Sequence, residues 1–201
     1  MDVAFIVDSS TSINFWDTTT WTTICEFFAN LTDRFDIGPN TTQLAVMHFS
    51  NRSSVMIPFS QYHQKPFLVH AIRHMPYSGG RTNLNDALYN TWSNVYAVGG
   101  GCRLDAAKIA IILTDGVDNV PDLNSTLTIQ NALRCKQIGV RLIVIGVRTN
   151  SALTVNNHRL LQIVSSPDDY FYASNANVLK ELIPVLLRRL FTASTISPVT
   201  G

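Results

Sequence analysis

The sequence predicts an α/β fold: a doubly wound, mostly parallel central sheet of about six strands with one antiparallel edge strand and helices on both faces. Two observations lead there. Short apolar runs such as Val3–Val7, Ile109–Leu113 and Val140–Val147, the last broken only by Arg141, suit strands buried on both faces. Between these runs lie segments with apolar residues at helical spacing, and parallel strands need such crossovers, nearly always right-handed. A length of 201 residues accommodates one such domain with a sizeable core.

In chain order, Val3–Val7 is the first strand. A helix follows from Trp16 to Leu31, with Trp21, Ile24, Cys25, Phe28 and Leu31 on its apolar face. Leu44–Phe49 is the second strand and Ser50–Ser53 a polar turn. Val55–Phe59 is the antiparallel edge strand, ending near Pro58. Residues 65–75 form a short helix, and Leu84 to Val98 a longer one that Gly99-Gly100-Gly101 terminates. The second half repeats the alternation: strand Lys108–Leu113, helix Thr126–Ile138 stopped by Gly139, strand Val140–Val147, helix Asn156–Val164, strand Tyr170–Tyr172 and helix Val178–Phe191. Pro184 lies inside that last helix and predicts a bend or restart around Ile183, or a joint in an element that moves. The domain spans residues 1–191, and residues 192–201, with Ser, Thr and Pro, read as a linker or tail.

Charged residues make up only 14% of the chain, against roughly 25% in soluble domains, and Thr, Ser and Asn carry the polar surface instead. A net charge of +1 offers no basic field, which argues against nucleic acid as a partner. No apolar run approaches the ~20 residues of a membrane span, so this domain is not expected to insert into a bilayer. The chain opens directly on a strand without a signal peptide, and Met1 reads as the added start of a domain cut from a larger chain.

The three cysteines lack zinc-site spacing. Cys102 precedes a strand and Cys135 ends a helix at the same end of the sheet, so those two are expected to form a disulfide, with Cys25 as a small core residue. Sequons stand at Asn30, Asn40, Asn51 and Asn124. With 16 Asn and 35 Ser or Thr in 201 residues, roughly three would arise by chance, so these four glycosylation candidates point outside the cell only slightly. His48 is expected in the core or on a sheet face, Trp16 and Trp21 in the core or on a helix face, and Asp168-Asp169 in a turn before the last strand.

The chemistry concentrates in three segments, the two acidic ones at strand carboxyl ends and the third in a loop at the start of a helix. Asp8-Ser9-Ser10-Thr11-Ser12 follows the first strand, Thr82 lies in the Gly-rich segment Ser78 to Asn83, and Asp115 follows the fourth strand in Leu113-Thr114-Asp115-Gly116. In an open sheet these ends share one crevice, where ligands bind. Asp8, Ser10 and Ser12 alternate along an extended turn and can face one way. Two carboxylates and three hydroxyls suit a hard divalent cation that keeps some water, Mg²⁺ or Mn²⁺, with Ca²⁺ as an alternative.

These segments resemble the von Willebrand factor A domain of the integrin I-domain type, whose metal-ion-dependent adhesion site reads Asp-x-Ser-x-Ser … Thr … Asp. Asp8, Ser10, Ser12, Thr82 and Asp115 match every position, and the likeness extends through Gly79 to Leu88 and over about residues 2–190. Thr11 departs from the Gly that members often carry there. The resemblance implies a non-enzymatic, extracellular adhesion or matrix-assembly module, secreted or in the ectodomain of a membrane protein. Its ion would be completed by a Glu or Asp of a protein ligand such as collagen or another matrix component. It also implies that the last helix couples to the metal loops in regulated members. Two alternatives stand beside it: a metal-independent structural interaction module of a matrix protein, and an Mg²⁺-dependent phosphatase-like hydrolase with Asp8 as nucleophile. Against the hydrolase, position 10 is Ser rather than a second carboxylate, and Arg81 is the sole nearby candidate to clamp a phosphoryl group.

Overall fold

The computed structural model describes residues 1–14, 17–116, 123–149 and 157–192. Its six strands are β1 (Asp2–Asp8), β2 (Gln43–Phe49), β3 (Ser53–Ile57), β4 (Lys108–Thr114), β5 (Val140–Val147) and β6 (Tyr170–Ala173). They form one sheet in the order β3-β2-β1-β4-β5-β6, parallel throughout except for β3, which pairs antiparallel with β2. The expected doubly wound fold is therefore the observed one. Successive strands run outward in both directions from β1 and β4, so the chain reverses its winding between these two. At that point the connections leave in opposite directions and open a crevice beyond the strand ends. Asp8 closes β1, and Asp115 follows β4 directly.

The period-2 alternation of each buried strand supplies two cores. Val3, Phe5 and Val7 pack beneath α2 (Thr20–Thr32), α3 (Lys65–Arg73) and α7 (Leu179–Thr192). Ala4 and Ile6 pack on the other face against α4 (Leu84–Asn90), α5 (Leu123–Gln137) and α6 (Asn157–Ile163). A further short helix, α1 (Thr11–Asn14), precedes α2.

Four elements differ from the sequence reading. The first long helix begins at Thr20, after the Asn14 side chain has taken the Trp21 amide at 2.8 Å; the expected start at Trp16 lies outside the described residues. The helix expected over Leu84 to Val98 holds α-geometry only to Asn90 and widens into a π turn at Thr91–Val95. There the Thr91 and Ser93 hydroxyls donate back to the Ala87 and Tyr89 carbonyls, competing with the ladder. The Tyr96 amide then reaches the Thr91 carbonyl at 3.0 Å, and the buried Tyr96 hydroxyl donates to the Ile109 carbonyl in β4. The edge strand starts and ends two residues early, with a register shift beside Val46 and Met47. Finally, α7 continues through Pro184 without a restart, anchored by buried Ile183, Leu186 and Leu190. Of the expected tail, 192–201, Thr192 instead ends α7, and 193–201 lie outside the described residues.

Trp21 is buried, with its indole N–H donating to the Met75 carbonyl at 2.9 Å, and His48 is buried on β2. Pro167–Asp169 forms a 3₁₀ turn, as expected for that acidic pair. What the sequence did not disclose is that Asp169 is buried and holds Arg141 of β5 and Arg189 of α7 at once.

The expected Cys102–Cys135 disulfide is not formed: all three cysteines are free thiols. The Cys135 thiol turns inward to the Leu88 carbonyl, at 3.5 Å, while the Cys102 thiol faces the Tyr96 and Ala97 carbonyls. Burial pushes the Cys135 thiol up to about 12, so it behaves as a small apolar residue, as does the buried Cys25 expected there.

Candidate metal centre

Asp8 is fully buried at the end of β1, and both its oxygens are used. Oδ1 accepts the Ser10 amide at 2.9 Å, the turn an Asp makes with the backbone two residues on. Oδ2 accepts the Thr114 hydroxyl, from β4, at 2.7 Å. The chain then folds into α1 instead of continuing extended. That helical turn, rather than strand-like alternation, brings the Ser10 and Ser12 hydroxyls to 3.0 Å of each other. The Tyr77 hydroxyl donates to the Ser10 carbonyl at 2.8 Å and fixes the loop from outside.

The Gly-rich segment is laced to this first loop by its backbone. Gly79 and Gly80 have φ of 66° and 96°, the left-handed region that Gly enters at little cost. In that conformation the Gly79 amide donates to the Ser9 carbonyl at 2.9 Å. Gly80 accepts the Thr11 amide and donates its own amide to the Thr11 hydroxyl, both at 2.8 Å. From the other side the Arg81 amide donates to Asn51 Oδ1 at 2.8 Å, and the Asn83 amide to the Ser50 carbonyl at 2.9 Å. Thr82, between these anchors, is 1% exposed, and its hydroxyl has no hydrogen-bond partner among the described residues.

Asp115 enters from the third segment. It is 1% exposed, and its Oδ2 accepts the Thr149 hydroxyl at 3.3 Å. Burial raises the Asp8 carboxyl well above its usual range, and the neighbouring Asp115 charge raises it further; hydrogen bonds from Ser10 and Thr114 act the other way. Two buried carboxylates that repel each other, beside a buried hydroxyl without a partner, are costly as they stand. A divalent cation removes both penalties. The donor set of Asp8, Ser10, Ser12, Thr82 and Asp115 is all oxygen with only two anions, which fits a hard ion retaining water.

The three predicted segments thus converge. Sequence reasoning missed the residues that hold the donors in place: Thr114 on Asp8, Tyr77 on the first loop, Thr149 on Asp115 and Asn51 on the second loop. Thr114 was the most readable, since it precedes Asp115 at the end of an apolar strand. Asn51 is exposed on this rim, whereas Asn40 is exposed at the opposite end of the sheet, beside Thr41 and Arg103, and Asn30 is half-buried on α2. The side chain of Asn124 lies outside the described residues.

Residues 2–184 match the model of the von Willebrand factor type A domain. Among curated proteins, the collagen alpha-1(XII) chain of Notophthalmus viridescens is 29% identical over 85% of this chain and 17% of its own length. Matrilin-1 of Mus musculus is 26% identical over 90% of this chain and 34% of its own. Integrin alpha-11 of Homo sapiens is 26% identical over 96% of this chain and 16% of its own. This chain therefore spans about a third or less of these relatives. Among solved structures, proximal thread matrix protein 1 of the mussel byssus, with a zinc-occupied MIDAS motif, superposes with a TM-score of 0.83 at 27% identity, over 94% of this chain and 45% of that one.

Proposed function

The chain belongs to the von Willebrand factor type A domain family, and on that premise we propose that it is an extracellular adhesion or matrix-assembly module whose bound divalent cation engages an acidic side chain of a protein ligand. The observation that carries this reading is the buried, unpartnered Thr82 hydroxyl beside two buried carboxylates that repel each other.

Ser10 and Ser12 offer two hydroxyl oxygens from one helical turn, Thr82 a third, and Asp8 and Asp115 the charge. Thr114 and the Ser10 amide orient Asp8, so that its carboxylate meets the ion with little rearrangement. When bound, an ion with so few anionic ligands remains electron-poor and attracts a carboxylate from outside. The oxygen donors favour Mg²⁺ or Mn²⁺, with Ca²⁺ as a larger alternative. One such contact fixes orientation, and the surrounding rim must supply selectivity.

Collagen or another matrix component is the ligand class this reading favours, given relatives among collagens, matrilins and integrins. The module would work inside a longer chain, where several copies strengthen a modest single contact. A sugar on Asn51 would emerge at the metal rim and restrict which partners approach; one on Asn40 would not. The relatives are adhesion and matrix proteins, and a hydrolytic role for Asp8 gains no support, because position 10 is Ser where a second carboxylate would serve as acid and base.

The test is capture of immobilised fibrillar collagen and other matrix proteins with Mg²⁺ and with chelator. Binding that needs the metal and disappears in Asp115→Ala, with an unchanged circular dichroism spectrum, supports the proposal. Binding that survives chelator would point instead to a metal-independent assembly surface.

A further inference from the structure

A second arrangement of metal-ligating type lies on α3, a helix that contributes nothing to the crevice. Its buried residues Leu68, Val69 and Ile72 turn one face to the core. His70 lies on the opposite, exposed face, and the exposed His74, four residues on, caps the end of the helix beside it. Their ring centroids are 4.2 Å apart, with the planes inclined by 34°. His74 Nδ1 lies 2.7 Å from the His70 carbonyl. A carbonyl can only accept, so Nδ1 carries the proton and the lone pair is left on His74 Nε2. This is the outer hydrogen bond that metal-ligating histidines characteristically make.

The surroundings do not oppose a cation. Arg73, between the two histidines in sequence, is turned to Glu26 of α2 through bonds of 2.9 and 3.1 Å. Lys65 Nζ is directed to the Asp33 carbonyl at 3.1 Å. The nearest positive groups on the helix are thus committed elsewhere.

We infer that His70 and His74 form a bidentate imidazole site for a borderline transition-metal ion, Zn²⁺, Cu²⁺ or Ni²⁺, whose other positions are filled by water or by donors of a neighbouring molecule. Nitrogen donors favour these ions over Mg²⁺, so this site is expected to reject the Mg²⁺ that the oxygen-lined crevice accepts. The inference does not depend on the crevice binding anything.

The test is a Zn²⁺ titration of chelator-stripped, ¹⁵N-labelled protein, followed through the imidazole ¹H–¹⁵N correlations. An Asp8→Ala background removes crevice binding from the signal. The Nε2 resonances of His70 and His74 are expected to shift together and saturate in common, while those of His63 stay in place and Mg²⁺ moves neither ring. His70→Gln and His74→Gln, both at exposed positions, should each weaken Zn²⁺ binding by about 100-fold, the advantage of two linked donors over one. Independent titration of the two rings, no shift at millimolar Zn²⁺, or unchanged affinity in either variant would overturn the inference.

Discussion

Thr11 and Gly80 grip each other twice: the Thr11 amide donates to the Gly80 carbonyl and the Gly80 amide donates to the Thr11 hydroxyl, each at 2.8 Å. This pair joins two of the three segments of the candidate metal centre. It also gives a use to the residue that departs from the family pattern, since Gly at position 11 could make only the first of these bonds. Thr11→Ala keeps the backbone bond and loses the hydroxyl acceptor. The lost bond is worth about 1 kcal/mol, less where water can replace it, so Mg²⁺ affinity should fall by up to roughly fivefold with little change in fold. Calorimetric titration of the variant checks this.

Asp115→Asn removes the charge that faces Asp8 while keeping the size of the side chain and an acceptor for Thr149. With chelator present, the variant is expected to melt at a higher temperature than the wild type, because one buried repulsion is gone. With saturating Mg²⁺ the order should reverse, since binding stabilises only the protein that retains its ligands. Thermal denaturation in both buffers distinguishes the two effects.

Asp169 ties three elements at the far end of the sheet. Its carboxylate accepts Arg141 Nε of β5 at 3.1 Å and Arg189 Nε of α7 at 3.0 Å, and Arg141 Nη1 donates to the Arg189 carbonyl at 3.1 Å. Breaking a fully buried pair costs about 3–5 kcal/mol. Arg141 and Arg189 are 19% and 32% exposed and can recover some water, so Asp169→Ala should cost about 2–3 kcal/mol. Urea unfolding with an unchanged slope would show this as a pure stability loss.

His48 should make the fold sensitive to acid. Burial lowers its pKa from 6.5, so the folded protein favours the neutral ring. The unfolded chain then binds the proton more readily, and stability falls as pH drops below about 6.5 and levels off beneath the lowered folded value. Above 6.5 the contribution is fully present. His48→Gln should flatten the difference in unfolding free energy between pH 7.5 and pH 5; an unaltered difference would show that other groups set the acid limit.

The parts of this molecule legible in its sequence are those set by one residue type or one period. Strands buried on both faces must be apolar throughout, so β1, β4 and β5 could be read to within a residue or so. Asp8, Thr82 and Asp115 were legible because their spacing relative to those strands is itself the signal. Interactions that depend on where a side chain turns were not. Helical spacing of Leu84 to Val98 said nothing of the π turn, which comes from hydroxyls bonding back to carbonyls and from the seating of Tyr96. Cys102 and Cys135 do fall on the same side of the fold, yet one thiol faces a loop and the other a helix carbonyl. Burial of Asp169 was hidden because its two partners come from residues 28 and 20 positions away.

The Thr82 hydroxyl is buried without a hydrogen-bond partner among the described residues, and the proposed ion would satisfy it. Thr82→Val preserves shape and deletes that oxygen, so its effects with and without metal should have opposite signs. Calorimetric titration of chelator-stripped protein with Mg²⁺, paired with unfolding in chelator, measures both. The wild type is expected to bind one equivalent saturably. Thr82→Val is expected to bind at least tenfold more weakly while being about 1 kcal/mol or more stable without metal, since a buried unpaired polar group is gone. Equal Mg²⁺ affinity in the two proteins, or a metal-free variant less stable than the wild type, would contradict the assignment of Thr82 as a cation ligand.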